Sequence, residues 1–294
     1  MTFELKDGVR YRMPVMFGPT PGPRQHPEGR PWTVEETGTM NAQWITINYL
    51  TRAEQLEALL PPHFKLRGEP VISISFAYFK NLWWLAGRGY GIVFVDFPVT
   101  YKGPKETIEG HFSPVLWEGN PEAIMTGREE LGFNKIFADI PEYKTDPQIG
   151  AIRGFASWYD FTFLDFQVNE LEEVLGDRTL PGGGGAALFY KHMPRTSPFG
   201  KEGADVSVVT TSAPRPGVEA GAAPIKFDDA NYRKWKARGH LAWHKATFEQ
   251  LPLTFHVVNG MAALDILEYR DTVVIEFSGP GTGVWANSMR TVET

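Results

Sequence analysis

The chain has 294 residues, of which 42% are hydrophobic and 22% charged, and its formal net charge is −6. That composition is globular and long enough for one large domain, and an acidic chain without a basic stripe argues against nucleic acid or an anionic membrane surface as a partner. The absence of cysteine excludes disulfides, thiolate metal sites and cysteine nucleophiles. No apolar run approaches the ~20 residues that span a bilayer. The N-terminal "MTFELKDGVRYRMP" lacks a basic-then-apolar leader pattern, so a cytoplasmic protein is expected.

Residues 1–38 read as an irregular arm, because five prolines fall between Met16 and Trp32 and forbid a regular helix. The remainder, 39–294, reads as a single domain. In "NAQWITINYL" (41–50), Ile45, Ile47 and Tyr49 alternate with Trp44, Thr46 and Asn48, the period of a strand. "TRAEQLEALL" then predicts a short helix capped by Thr51 with Glu54 at the capping-box position, stopped by Pro61 and Pro62. "PVISISFAYFKNLWWL", "GYGIVFVDFPVTYKG" and "EGHFSPVLWEGN" each predict a strand. Asn120 and Pro121 open, and Gly132 closes, a short helix over 120–132.

The second half repeats the pattern. "QIGAIRGFASWYDFTFLDFQV" holds two or three strand segments, "ADVSVVTTSA" is another, and "DTVVIEFSG" closes the series. "GHLAWHKATFEQLP" fits either a strand or a helix, and "PRPGVEAGAAPIK" is a loop. Abundant aromatics, glycines and prolines suit many strands joined by tight turns. The fold expected is mainly β with a few short helices (α+β).

Most familiar catalytic motifs are absent. His240 and His244 would share a helix face as a metal pair must, but no HExxH accompanies them. The glycine run in "PGGGGAALFYKHMP" lacks the Lys-Ser/Thr of a phosphate loop, and "GRGYG" (87–91) lacks the dinucleotide-binding spacing. There is no GxSxG. No metal or other cofactor is expected. What remains is Lys135, flanked in sequence by Leu131, Phe133, Ile136 and Phe137. Two readings stand for such a lysine. It can snorkel to water, or its amine can be held dry, which favours the neutral, nucleophilic form that attacks a ketone.

The stretch "EGNPEAIMTGREELGFNK" resembles the signature of the acetoacetate decarboxylase superfamily. Pro121, Ala123 and Ile124 answer to its Asn-Glu-Pro-Ala-Ile-like run, Gly127, Arg128 and Glu129 to its Gly-Arg-Glu, and Phe133 and Lys135 to its aromatic-Pro-Lys-Lys. Further similarity runs through roughly residues 40–280. The resemblance implies a closed antiparallel β-barrel or cone, a homo-oligomer and cofactor-independent lyase chemistry, with Lys135 as the Schiff-base lysine. It also implies departures. The family's second lysine falls at Ile136, its glutamate at Ile92, and its carboxylate-binding arginine near Ala42, where Arg24 or Arg30 of the arm would have to substitute. Asp96, on the strand of Ile92, is an alternative carboxylate. Tyr90 and Phe133 join Ile92, Asp96 and Ile136 as pocket residues, while Arg128 and Glu129 brace the lysine's loop.

These departures favour a changed reaction over plain acetoacetate decarboxylation. The expectation is a lyase acting on an oxo acid, ketone or aldehyde, of the aldolase-dehydratase kind, with a bulky apolar partner substrate. A 3-oxo acid decarboxylase, or a barrel that binds hydrophobic ligands without covalent chemistry, are the alternatives.

Overall fold

A computed structural model describes residues 4–146, 148, 150–178, 185–215, 231–281 and 289–293. From the N-terminus come α1 (Val34–Thr37), β1 (Thr39–Leu50), α2 (Ala53–Glu57), β2 (Phe64–Leu66), β3 (Val71–Leu82) and β4 (Arg88–Lys102). Next are β5 (Thr107–Phe112), β6 (Leu116–Glu118), α3 (Pro121–Thr126), a π-helical turn (Gly127–Leu131), β7 (Lys135–Phe137) and β8 (Lys144–Asp146). The second half supplies β9 (Ala151–Trp158), β10 (Phe161–Glu173), β11 (Ala186–Pro194) and β12 (Ala204–Thr211). It ends with β13 (Tyr232–Trp243), α4 (Phe255–Met261), β14 (Glu268–Pro280) and β15 (Arg290–Thr291).

The strands form one mainly antiparallel sheet in the order β15-β12-β11-β5-β4-β3-β1-β14-β13-β10-β9-β8. β2 and β6 also pair with β4, and β7 pairs with β6 in parallel. The closed barrel expected from the sequence is therefore corrected: the ladder path is open. Among the described residues there is no ladder between β7 and β9, only the isolated bridge Asp139–Ser157 just past the end of β7.

Alternation along the long strands sorts side chains onto two faces. Ile45, Ile47 and Tyr49 of β1, Ile72, Ile74 and Phe76 of β3, and Val93, Val95, Phe97 and Val99 of β4 enter the main core, all fully buried. Each such side chain contributes about 1.5–3 kcal/mol by leaving water. The opposite face carries a smaller cluster of Ala77, Ile92, Leu116, Leu131, Phe133 and Phe189, edged by Trp44, Phe79 and Phe94.

Two local expectations need correction, and a third, left open between strand and helix, is resolved as strand. Helix α2 takes Arg52, not Thr51, at its N-cap and has no side-chain capping bond, since the Thr51 hydroxyl donates to Gln55 instead. "EGHFSPVLWEGN" is two strands, broken at Ser113–Pro114, because proline cannot donate to a ladder. "GHLAW" is strand, in β13, with His244 just past its end, so His240 and His244 do not form a helical metal pair. His244 bonds Asp165 at 2.6 Å, and His240 packs edge-on against Tyr269. The glycine run lies outside the described residues except for Gly185, as does the loop 214–226 beyond Arg215.

Candidate active site around Lys135

Strands β6 and β7 place the lysine. Leu116 pairs with Lys135, Trp117 with Ile136 and Glu118 with Phe137. Side chains alternate, so Trp117 and Ile136 pack toward the main core, while Leu116, Glu118 and Lys135 project to the other side. Lys135 is 7% exposed and Glu118 1%. The lysine does not snorkel: its Nζ lies 2.7 Å from Glu118 Oε1. It also donates to the Ala123 carbonyl at 3.1 Å and stands 5.1 Å from the centre of the Phe133 ring.

The loop that holds this amine follows from its sequence. Asn120 caps α3 by accepting from the Ala123 N–H, and Pro121 at the first helical turn needs no N–H partner there. The helix then widens into the π turn and ends on Gly132, whose φ of 80° suits glycine. Gly127 leaves the space the lysine occupies. A Cβ there would meet Lys135 Cδ and Cε at 2.5 Å and Nζ at 2.6 Å. Arg128 donates from Nη1 to the Lys135 carbonyl at 2.8 Å, and Lys191 donates to the Glu129 carbonyl. Phe133 stacks on Phe189 with ring centres 4.3 Å apart.

Burial dominates the electrostatics. It pushes the Glu118 carboxyl above the usual carboxylate range, against the opposing pull of the Lys135 charge and hydrogen bond. The second oxygen, Oε2, is buried and has no hydrogen-bond partner among the described residues. The Tyr90 hydroxyl is pushed up as well, by desolvation first and by the Glu118 charge second. On the far side of the π turn, Arg12 and Arg24 both donate to Glu130, with Arg10 at 3.5 Å. Arg24 also reaches Thr126 Oγ1 at 2.7 Å. Burial alone would raise the Glu130 carboxyl, but Arg24 and Arg12 outweigh it and hold it below the usual range.

The residues singled out in the sequence are distributed as follows. Phe133 walls the amine. Ile92 faces the same cluster, on β4, directly opposite Glu118 in the β4–β6 ladder. Tyr90 lies close enough to Glu118 to feel its charge. Asp96 lies further along β4 and engages His111 Nδ1 at 3.0 Å. Ile136 stands on the opposite face from the amine, so a cation there would not adjoin it. Arg30 pairs with Glu28 and Glu36 at the surface. Ala42 packs in a separate apolar cluster with Met40 and Leu82. Glu118 is the residue that sequence reasoning missed. Its signal was present: a carboxylate in the apolar run "PVLWEG", two residues from Leu116 and on the same strand face. Among the described residues no group of three or more His, Cys, Asp or Glu could hold a metal ion, and no helix is long and apolar enough to cross a membrane.

The family model described as acetoacetate decarboxylase (ADC) matches residues 12–237. The chain belongs to the acetoacetate decarboxylase family. No curated protein matches it. Among solved structures, it resembles one from structural studies of acetoacetate decarboxylase, with TM-score 0.61, 13% identity and 98% of each chain covered. The acetoacetate decarboxylase of Legionella pneumophila subsp. pneumophila str. Philadelphia 1 aligns with TM-score 0.60, 18% identity and 91% and 92% coverage. The enduracididine biosynthesis enzyme MppR complexed with pyruvate aligns with TM-score 0.56, 12% identity and 82% and 86% coverage. MppR has also been solved with the condensation product of pyruvate and imidazole 4-carboxaldehyde. At these identities the structural likeness of the family member to each of them is one of fold.

Proposed function

We propose that this family member is a Schiff-base-forming lyase that acts on an oxo acid or ketone through Lys135. The single observation that supports this most is the position of the amine, which is buried beside a carboxylate rather than extended into water. Water exclusion favours attack by a neutral amine on a carbonyl carbon, and the resulting iminium is an electron sink for bond cleavage or formation at the adjacent carbon. The apolar surroundings, Phe133, Phe189, Ile92 and Phe94, suit an aldol or dehydration partner with a bulky apolar side. The pyruvate complex of MppR makes a 2-oxo acid the first substrate to try. Of Arg24 and Arg30 in the arm, Arg24 comes to the lysine's loop, where it bonds Thr126 and Glu130.

The test is reductive trapping. Incubation with borohydride and a panel of 2- and 3-oxo acids, followed by peptide mass mapping, is expected to place the adduct on Lys135. Carbon dioxide release from a 3-oxo acid would shift the reading to decarboxylation. If no member of the panel gives an adduct on Lys135, the Schiff-base reading is wrong.

A further inference from the structure

The Lys135 amine needs a proton partner. In the position opposite Ile92, on the neighbouring strand, stands a carboxylate. Ile92 of β4 and Glu118 of β6 are directly paired in the ladder; Ile92 belongs to the apolar cluster of Phe133, whose ring adjoins the lysine amine, and Glu118 holds that amine. Directly paired side chains lie about 5 Å apart at Cβ, so either position can deliver a carboxylate to the same small volume. With isoleucine at 92, this chain delivers it from the other strand. Glu118 Oε1 already holds the amine at 2.7 Å. Oε2 is buried without a partner, a group that an apolar setting does not tolerate unless something polar arrives.

We infer that Glu118 is a catalytic acid–base residue of this site, its carboxyl exchanging protons with Lys135 and with the oxygen that leaves the substrate as water. The inference rests on the Schiff-base reading above. The steps balance. Lys135, as the ammonium, passes one proton to Glu118 and becomes a neutral amine. The Nζ lone pair forms a bond to the carbonyl carbon, and the π pair moves to oxygen. Glu118 protonates that oxygen, then removes a proton from the attached nitrogen, giving a neutral carbinolamine. Finally Glu118 returns its proton to the hydroxyl, the C–O bond breaks with loss of water, and the nitrogen lone pair closes the C=N bond. Of the three protons on the ammonium, two leave in water and one remains on the iminium. The site starts as cation and carboxylate and ends as cation and carboxylate. No net charge develops in a dry site, where an unpaired charge would be costly.

The experiment measures the rate of borohydride trapping of pyruvate, or of whichever oxo acid traps best, on wild-type protein, Glu118→Gln, and the double variant Glu118→Gln/Ile92→Glu. Circular dichroism and a thermal melt select folded protein. General acid–base groups contribute about 100-fold or more, so Glu118→Gln is expected to trap at least about 100-fold more slowly. Supplying the carboxylate from residue 92 is expected to recover a large part of that loss, which a purely structural role for Glu118 would not predict. Trapping by folded Glu118→Gln within a few fold of wild type, or faster, would overturn the assignment. A slow single variant that the double variant does not rescue would also count against it, because the two positions would then not be interchangeable. Should Glu118→Gln not fold, a double variant that folds and traps near the wild-type rate supports the assignment, and one that folds without trapping refutes it. If wild-type protein itself gives no adduct, it is the Schiff-base reading that falls.

Discussion

Gly127→Ala is the sharpest probe of how the lysine is held. The backbone at 127 is ordinary right-handed helix, with φ of −68°, so alanine adds no strain there and would by itself favour the helix by about 1 kcal/mol. The difficulty is space. The new Cβ would sit 2.5 Å from Lys135 Cδ and Cε, so the side chain has to move by roughly 1 Å to reach ordinary van der Waals distance. It has little room to do so, because its tip is tied to Glu118 and the Ala123 carbonyl. Overpacking of this kind costs about 1–3 kcal/mol, so after the helix gain the net destabilisation is about 0–2 kcal/mol. Function is expected to suffer far more. A displacement of that size at a reacting atom costs on the order of 100-fold. The assay pairs a thermal melt with the rate of oxo-acid trapping on Lys135. A small change in melting temperature with a large loss of trapping rate is the expected pattern. Wild-type trapping in Gly127→Ala would show that the amine does not work from the position described and would refute the reasoning.

Two further predictions follow from the surroundings of the loop. Ile136→Lys restores the family's second lysine but on the face turned to the main core, so it is expected to cost about 1–3 kcal/mol in a denaturant melt without accelerating trapping; faster trapping would show that residue 136 does reach the amine. Glu130→Gln leaves Arg12 and Arg24, each nearly buried, without their carboxylate, and breaking such a buried pair typically costs about 3–5 kcal/mol. Because the folded Glu130 carboxyl lies below its unfolded value, its stabilisation is present above about pH 4.3 and fades as pH falls through the folded value. Acid titration of stability should therefore be shallower in Glu130→Gln than in wild type, and equal slopes would remove Glu130 from the account.

The long strands were legible in the sequence because alternation is a local property. Ile45, Ile47 and Tyr49 announce a buried face, and the structure buries all three completely. The loop around the lysine was legible for the same kind of reason: Asn120 and Pro121 start the helix, and Gly132 ends it in a conformation that suits glycine. Lys135 stood out through its apolar neighbours in sequence. The open path of the sheet was not legible, since it depends on whether the second edge of β7, already paired with β6 on its first, meets another strand distant in sequence.

The sequence by itself determined the long alternating strands, the helix start at Asn120–Pro121 and its end at Gly132, and which lysine has apolar company. These depend on neighbours along the chain. The tertiary structure decided what the amine meets. Glu118 is 17 positions before Lys135, and Ile92 a further 26, so only strand pairing brings their side chains together. Side-chain alternation across that pairing turns Ile136 away from the amine and Glu118 toward it. A sequence motif places residues 135 and 136 side by side, whereas a strand sends them to opposite faces.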